Sequence, residues 1–233
     1  MTPLILHPSK WNDYSLIDSG YGQKLERFGP YMFARPEAQA LWPQNLSQKI
    51  WGNAAGTFLS SSSLEDREEA GKWNLKSNLP DRWEMSYENI KFYATPTAFR
   101  HLGFFPDQSP HWIWAAQKIK KFILNTTTPN PPRILNLFGY SGLASLHAAS
   151  NGASVTHVDA SKKAISFAFE NRNLSCFSNL PIKYLTDDAL KFVNREIRRE
   201  NRYDAIILDP PKYGRGPNGE VWELQKDLPI LLN

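Results

Sequence analysis

From about residue 105 onward, strand signals alternate with helix signals, and this alternation restricts the possible folds more than any other feature of the chain. Residues 112–124 carry apolar side chains at helical spacing, with Lys118, Lys120 and Lys121 opposite. The run TTTPNPP at 126–132 breaks that helix. Residues 133–138 (RILNLF) read as a buried strand, and 142–150 as a helix closed by Asn151-Gly152, a left-handed cap signal. A second strand follows at 154–158, then a helix capped by Ser161 and running to about 173. Residues 182–185 form a third strand, 189–200 a basic amphipathic helix, and 203–208 (YDAIIL) a fourth strand. Strands joined by helices at this spacing pair in parallel through right-handed crossovers. Pro210-Pro211 and a Gly-rich loop come next, and 221–232 reads as the opening of another helix. Four strands alone would leave an apolar edge, so the expectation is an α/β sheet that is incomplete at its C-terminal side, from a longer natural protein.

The earlier residues have a different texture. They are rich in Trp, Tyr and Phe, and Gly20, Gly22, Gly29 and Pro30 punctuate short apolar runs as hairpin turns do. Residues 31–35, 73–75, 83–87 and 90–94 are strand candidates, and the polar stretch 60–69 reads as a solvated loop or short exposed helix. The expected division is a small β-rich domain over residues 1–95 and an α/β domain over 96–233.

Composition narrows the function classes. No run of about 18 apolar residues exists to span a bilayer. The N-terminus lacks a signal-peptide core and an Arg-rich transit face, which makes a cytoplasmic protein the expectation. The single cysteine, Cys176, excludes an internal disulfide and a Cys-based zinc site, and the five histidines show no metal-ligand spacing. No metal is expected. The formal net charge of +4 suits a phosphate-rich partner.

Four motifs carry the chemistry. The first, Asn136-Leu137-Phe138-Gly139-Tyr140-Ser141-Gly142, joins a strand to a helix; its glycines let backbone approach a ligand, and the helix start presents free amides. A tight turn that needs φ > 0 would show the same glycines. It has no P-loop lysine. The second is Asp159, some 20 residues on, where doubly wound folds place the carboxylate that accepts ribose hydroxyls. A helix-start carboxylate beside Ser161 is the alternative role. The third is Asp187-Asp188, after the third strand. Either aspartate could accept an adenine amine or cap the helix, and Asp188 is the preferred ligand group. The fourth, Asp209-Pro210-Pro211-Lys212-Tyr213, follows the fourth strand. Its prolines fix the backbone and remove two donors, leaving neighbouring carbonyls to accept from a substrate.

In this order, with LNLFGYSG, the DPPK-aromatic form and NGEVWEL downstream, these motifs resemble class I S-adenosylmethionine (SAM)-dependent methyltransferases. The resemblance is to bacterial large-subunit ribosomal RNA methyltransferases, including the cytosine-C5 enzymes of 23S rRNA, and covers roughly residues 95–233. It implies a Rossmann-like parallel sheet and SAM as cofactor. It implies a pocket lined by Gln108, Asn136, Phe138, Gly139, Tyr140, Gly142, Asp159, Ser161, Asp188 and Asp209. The loop Asp209, Pro210, Pro211 and Lys212 would be catalytic, and Lys212, Tyr213 and Arg215 would meet the substrate, with Tyr213 or Tyr140 stacking on a base that is flipped or single-stranded. Lys212 separates the prolines from the aromatic, unlike amino-group methyltransferases of the DPPY or NPPY type. Cytosine-C5 chemistry needs a cysteine nucleophile, and Cys176 lies in a loop away from the sheet's C-terminal edge, where a partly buried or inert thiol is expected. The expected function is methylation of a base in ribosomal RNA. The alternatives are a protein or small-molecule methyltransferase, a dinucleotide oxidoreductase using the same Gly turn and Asp159, and a non-catalytic RNA-binding module with a relic pocket.

Overall fold

The structure, a computed structural model, describes residues 5–8, 10–60, 71–127 and 129–233. The charged stretch around 61–70 lies outside them. The chain divides into two compact units, Met1–Ser109 and Pro110–Asn233.

The first unit is built from short strands. β1 (Tyr14–Gly20), β2 (Gln23–Phe28), β3 (Tyr31–Pro36), β4 (Gly56–Ser60) and β5 (Gly71–Leu75) form one sheet in sequential order, and β6 (Trp83–Tyr87) pairs with β7 (Ile90–Ala94) in a separate ribbon. A four-residue helix, α1 (Gln48–Trp51), lies between β3 and β4. The pairing is antiparallel except between β3 and β4, which run parallel. The β1–β2 turn puts Tyr21 and Gly22 at φ 50° and 73°, the two positive values that a type I′ hairpin requires. Phe28, Phe33, Trp83 and Phe92 are buried, and Phe33 stacks on Trp83 at 5.5 Å.

The sequence places the domain boundary after residue 95, whereas residues 96–109 fall in the first compact unit. Leu102 and Phe104 are fully buried, and the Phe104 ring lies 4.8 Å from Phe92 and 5.8 Å from both Phe28 and Trp11. The unit also buries an ion pair. Arg35 donates through Nε and Nη2 to the two oxygens of Glu26, at 2.7 and 2.8 Å, and the Tyr14 hydroxyl donates to the same carboxylate at 2.8 Å. The paired guanidinium and phenol satisfy a carboxylate that is only 1% exposed.

The second unit begins at the second residue of α2 (Ser109–Asn125) and continues through β8 (Arg133–Leu137), α3 (Leu143–Ser150), β9 (Ser154–Asp159), α4 (Lys162–Leu174), β10 (Ile182–Thr186), α5 (Ala189–Arg198), β11 (Ala205–Leu208), β12 (Tyr213–Arg215), β13 (Val221–Glu223) and α6 (Leu224–Leu232). Its sheet is parallel, in the order β10-β9-β8-β11. Alternation along the strands splits the core in two. Ile134 and Val155 pack with Ile119, Ala148 and Ala149, while Leu135, Leu137 and Val158 pack with Ala189 and Phe192. Helices therefore cover both faces, as the alternating pattern requires. β11 is an edge strand whose Ile206 is 60% exposed.

One element differs from the sequence reading. Residues 221–223 are not the first turn of a helix; they form β13, which pairs antiparallel with β12 through Tyr213↔Glu223 and Arg215↔Val221. Trp222 explains the change, because only this extended segment buries its indole, 5% exposed, between two exposed neighbours. The helix then starts at Leu224, where the buried Asp227 accepts the Glu223 N–H at 2.7 Å.

Replacing Arg35 with Met should leave Glu26 buried and without its guanidinium, at a cost of about 3–5 kcal/mol. Urea unfolding followed by tryptophan fluorescence measures it, and a loss below about 1 kcal/mol would contradict the buried-pair description.

Candidate active site

Because the strands are parallel, the segments that follow β8, β9, β10 and β11 all emerge at one edge of the sheet. Open α/β sheets bind ligands there. The four sequence motifs occupy these four positions.

The β8–α3 turn is held in an unusual backbone conformation. Phe138 and Tyr140, neither of them glycine, have φ 56° and 45°, and Gly142 follows at 81°. Strain of this kind persists only where the surroundings fix it. Gly139 donates its N–H to the Val158 carbonyl at 3.1 Å, and Asn171 Nδ2 donates to the Ser141 carbonyl at 2.9 Å. Two glycines are required by contact. A Cβ on Gly139 would stand 2.3 Å from the His157 ring, and one on Gly142 would stand 2.8 Å from Ala168 Cβ.

Asp159 ends β9 and ties the turn to the next helix. Its Oδ2 accepts the Tyr140 N–H at 2.9 Å and its Oδ1 accepts the Ser161 N–H at 2.8 Å. Burial pushes its carboxyl above the usual carboxylate range, against the pull of these two N–H groups. Each oxygen keeps a further lone pair for a hydroxyl donor. Burial and the Asp159 charge push the Tyr140 phenol up to about 12, so it stays a neutral ring. Ser161 is the N-cap of α4, accepting from Ala164 N–H at 3.3 Å.

A buried polar chain lies under the turn. Asn136 Nδ2 donates to Ser145 Oγ at 2.8 Å, and Ser145 Oγ lies 2.9 Å from His157 Nδ1. All three side chains are buried. Asn136 is thus engaged in the interior, and His157 and Ser145 support the turn without having been singled out in the sequence. Burial pushes His157 down to about 4 and His147 down to about 3.

At the end of β10, Asp188 caps α5, its Oδ1 accepting from Lys191 N–H at 2.9 Å. Asp187 pairs with Arg195 and accepts the Asp188 N–H. Both aspartates face other duties, and Asp188 keeps one oxygen beyond its cap. Beyond β11, Asp209, Lys212, Tyr213 and Arg215 are exposed. The expectation that carbonyls beside the prolines stay open is corrected at Pro211, whose carbonyl accepts the Trp222 indole N–H at 2.8 Å. The Lys212 carbonyl accepts from Leu224 N–H at 3.0 Å. The Trp222 ring also lies 4.7 Å from that of Phe138. Gln108 closes a short 3-10 turn, Pro106–Gln108, in the first unit. Cys176, expected to be a partly buried or inert thiol, is exposed, on a residue with φ 58° in the α4–β10 connection. No group of His, Cys, Asp and Glu that could hold a metal occurs among the described residues.

A carboxylate with spare lone pairs beside a turn of exposed backbone suits a nucleoside-bearing ligand, and the strand order β10-β9-β8-β11 is that of doubly wound nucleotide-binding proteins. Comparison with known proteins narrows the class. A SAM-dependent methyltransferase from Agrobacterium tumefaciens aligns over 100% of this chain and 71% of its own, at 45% identity and a TM-score of 0.88. A candidate SAM-dependent methyltransferase from Streptococcus mutans shares the fold at 17% identity, with a TM-score of 0.67 over 96% of this chain and 57% of its own. Ribosomal RNA large subunit methyltransferase K/L of Hahella chejuensis is 33% identical over 167 residues, which is 69% of this chain and 21% of that protein. A family model described as conserved hypothetical protein 95 matches residues 115–226. The chain belongs to the SAM-dependent methyltransferases. It spans between about a seventh and just over a quarter of the length of the curated relatives it matches.

The buried histidines give a pH prediction. A histidine whose folded pKa is about 4 or 3, against about 6.5 unfolded, takes up protons more readily in the unfolded chain. Stability should therefore be full above pH 6.5 and fall as the pH drops towards 4. Urea midpoints measured between pH 7 and 4 should show a shallower fall in His157→Gln than in the native chain. Equal slopes would contradict the buried neutral state.

Proposed function

We propose that this chain carries the SAM-binding core of a methyltransferase that acts on a base in ribosomal RNA. The observation that supports the cofactor most strongly is the Asp159 carboxylate, which fixes the strained turn through Tyr140 N–H and keeps lone pairs for ribose hydroxyls. Phe138, Gly139, Tyr140 and Gly142 would provide the backbone wall, and the remaining oxygen of Asp188 would accept the adenine amine. When bound, SAM supplies a methyl group on a sulfonium sulfur. The chain's own contribution is to orient donor and acceptor, which lowers the barrier by positioning.

The RNA assignment draws on the named activity of the ribosomal RNA relatives and on the exposed cations beside the proline loop. Lys212 and Arg215 are exposed and are read as phosphate contacts. Tyr213, 52% exposed, is better placed than the half-buried Tyr140 to stack on an unpaired base. Asp209, Pro210, Pro211 and Lys212 would form the wall against which the acceptor base is held. In this reading the methyltransferase core is the second unit, residues 110–233, and the first unit is an accessory domain. Among the described residues no helix is long and apolar enough to cross a membrane.

Calorimetric titration tests the cofactor. The chain should bind SAM with micromolar affinity, bind NAD far more weakly, and lose SAM binding at least tenfold in Asp159→Ala. Tighter binding of NAD would favour an oxidoreductase. For the substrate, affinity for a ribosomal RNA fragment should fall with salt, and the salt slope should shrink in Lys212→Ala/Arg215→Ala. An RNA affinity indifferent to both would leave a protein or small molecule as acceptor.

A further inference from the structure

Trp222 stands where the two motifs of this edge meet. Its indole N–H donates to the Pro211 carbonyl at 2.8 Å, inside the proline loop. Its ring packs on Phe138 at 4.7 Å and 54°, inside the strained turn after β8. The side chain is 5% exposed, so neither contact is a loose surface encounter. An indole is suited to this double duty, with a broad apolar face and one donor at its edge.

The hairpin that carries Trp222 is fastened a second time. Glu220, at the start of the returning strand, pairs with Lys191 in the first turn of α5. Glu220 also accepts the Asn218 N–H at 2.8 Å, and its carbonyl accepts the Gly216 N–H at 2.8 Å, so the tip of the hairpin is closed on itself. Lys191 in turn donates its backbone N–H to Asp188. The hairpin thus reaches from the turn after β8 to the loop after β10, and it grows directly out of the segment after β11.

We propose that the β12–β13 hairpin is a clasp across the carboxyl edge of the sheet and that Trp222 is its positioning residue, coupling the conformation of the proline loop to that of the Phe138–Gly142 turn. Phe138 sits at φ 56°, an uncommon value for an aromatic residue, and the indole packed against it is what helps hold it there. Loss of the ring should relax the turn, and loss of the Phe138 ring should loosen the hairpin. Methyl transfer needs the two motifs in fixed register, and the clasp would supply that register from one side chain.

The test is reciprocal hydrogen exchange on the chain without ligand, in the native protein, Trp222→Leu, Trp222→Phe and Phe138→Leu. Trp222→Leu should speed exchange at the amides of residues 139–142 about tenfold, and Phe138→Leu should do the same at residues 213–224. Trp222→Phe keeps a ring against Phe138 and should restore slow exchange in the turn while leaving the hairpin faster. If Trp222→Leu does not fold, the Phe138→Leu and Trp222→Phe arms carry the comparison. Exchange that rises only on the mutated side would overturn the coupling. Titration with S-adenosylhomocysteine adds a second readout, which rests on the proposed cofactor site. Affinity should weaken about tenfold in Trp222→Leu and stay within about threefold in Trp222→Phe. A native chain that fails to bind would remove the cofactor reading, and the exchange result would still decide the clasp.

Discussion

The carboxylate of Asp159 organises the second unit's working edge. It accepts one N–H from the turn after β8 and one from the start of α4, and so joins two βα units that the parallel sheet only brings side by side. The turn needs such an anchor, because Phe138 and Tyr140 are held at positive φ and would otherwise relax. Beneath it, the His157 ring takes the space that a side chain at 139 would need, and Ser145 and Asn136 tie that ring to β8 and α3. The backbone of the turn thus rests on a floor that is polar, buried and mutually bonded.

That floor also explains why His157 is a neutral support and not an acid or base. His157 is fully buried and burial pushes it down to about 4, so it carries no charge at neutral pH. The groups left at the surface of this edge are a carboxylate with spare lone pairs, exposed cations and aromatic rings. Such a set orients and holds. It suits a transfer in which the donor brings its own leaving group and the protein supplies geometry.

Much of this was legible in the sequence. The parallel sheet followed from strand and helix periods that alternate at regular spacing, and the strand ends followed from the sheet. Asp159 could be placed because its distance from Gly139 is set by one helix and one strand. Other features depend on contacts between segments far apart and left little local signal. Residues 221–223 read as helical because apolar residues continue to 232; burial of Trp222 against Pro211 and Phe138 makes them a strand. β4 was missed because Gly56–Ser60 has a glycine and two polar residues in five, and it is a strand through its pairing with β3 and β5. Residues 96–109 side with the first unit because Phe104 enters its aromatic core, which no spacing rule reveals. Asn136 was grouped with the pocket by its place in the motif, and its bond to Ser145 in the buried chain under the turn depends on a contact with α3 that the motif does not announce.

The most direct test of the account is a crystal structure of the chain with S-adenosylhomocysteine. The account predicts the ribose hydroxyls within hydrogen-bonding distance of the Asp159 carboxylate, the amino-acid portion along the backbone of residues 138–142, and the adenine beside Asp188. A ligand bound elsewhere, or an Asp159 carboxylate that contacts only Tyr140 and Ser161 in the saturated crystal, would contradict it.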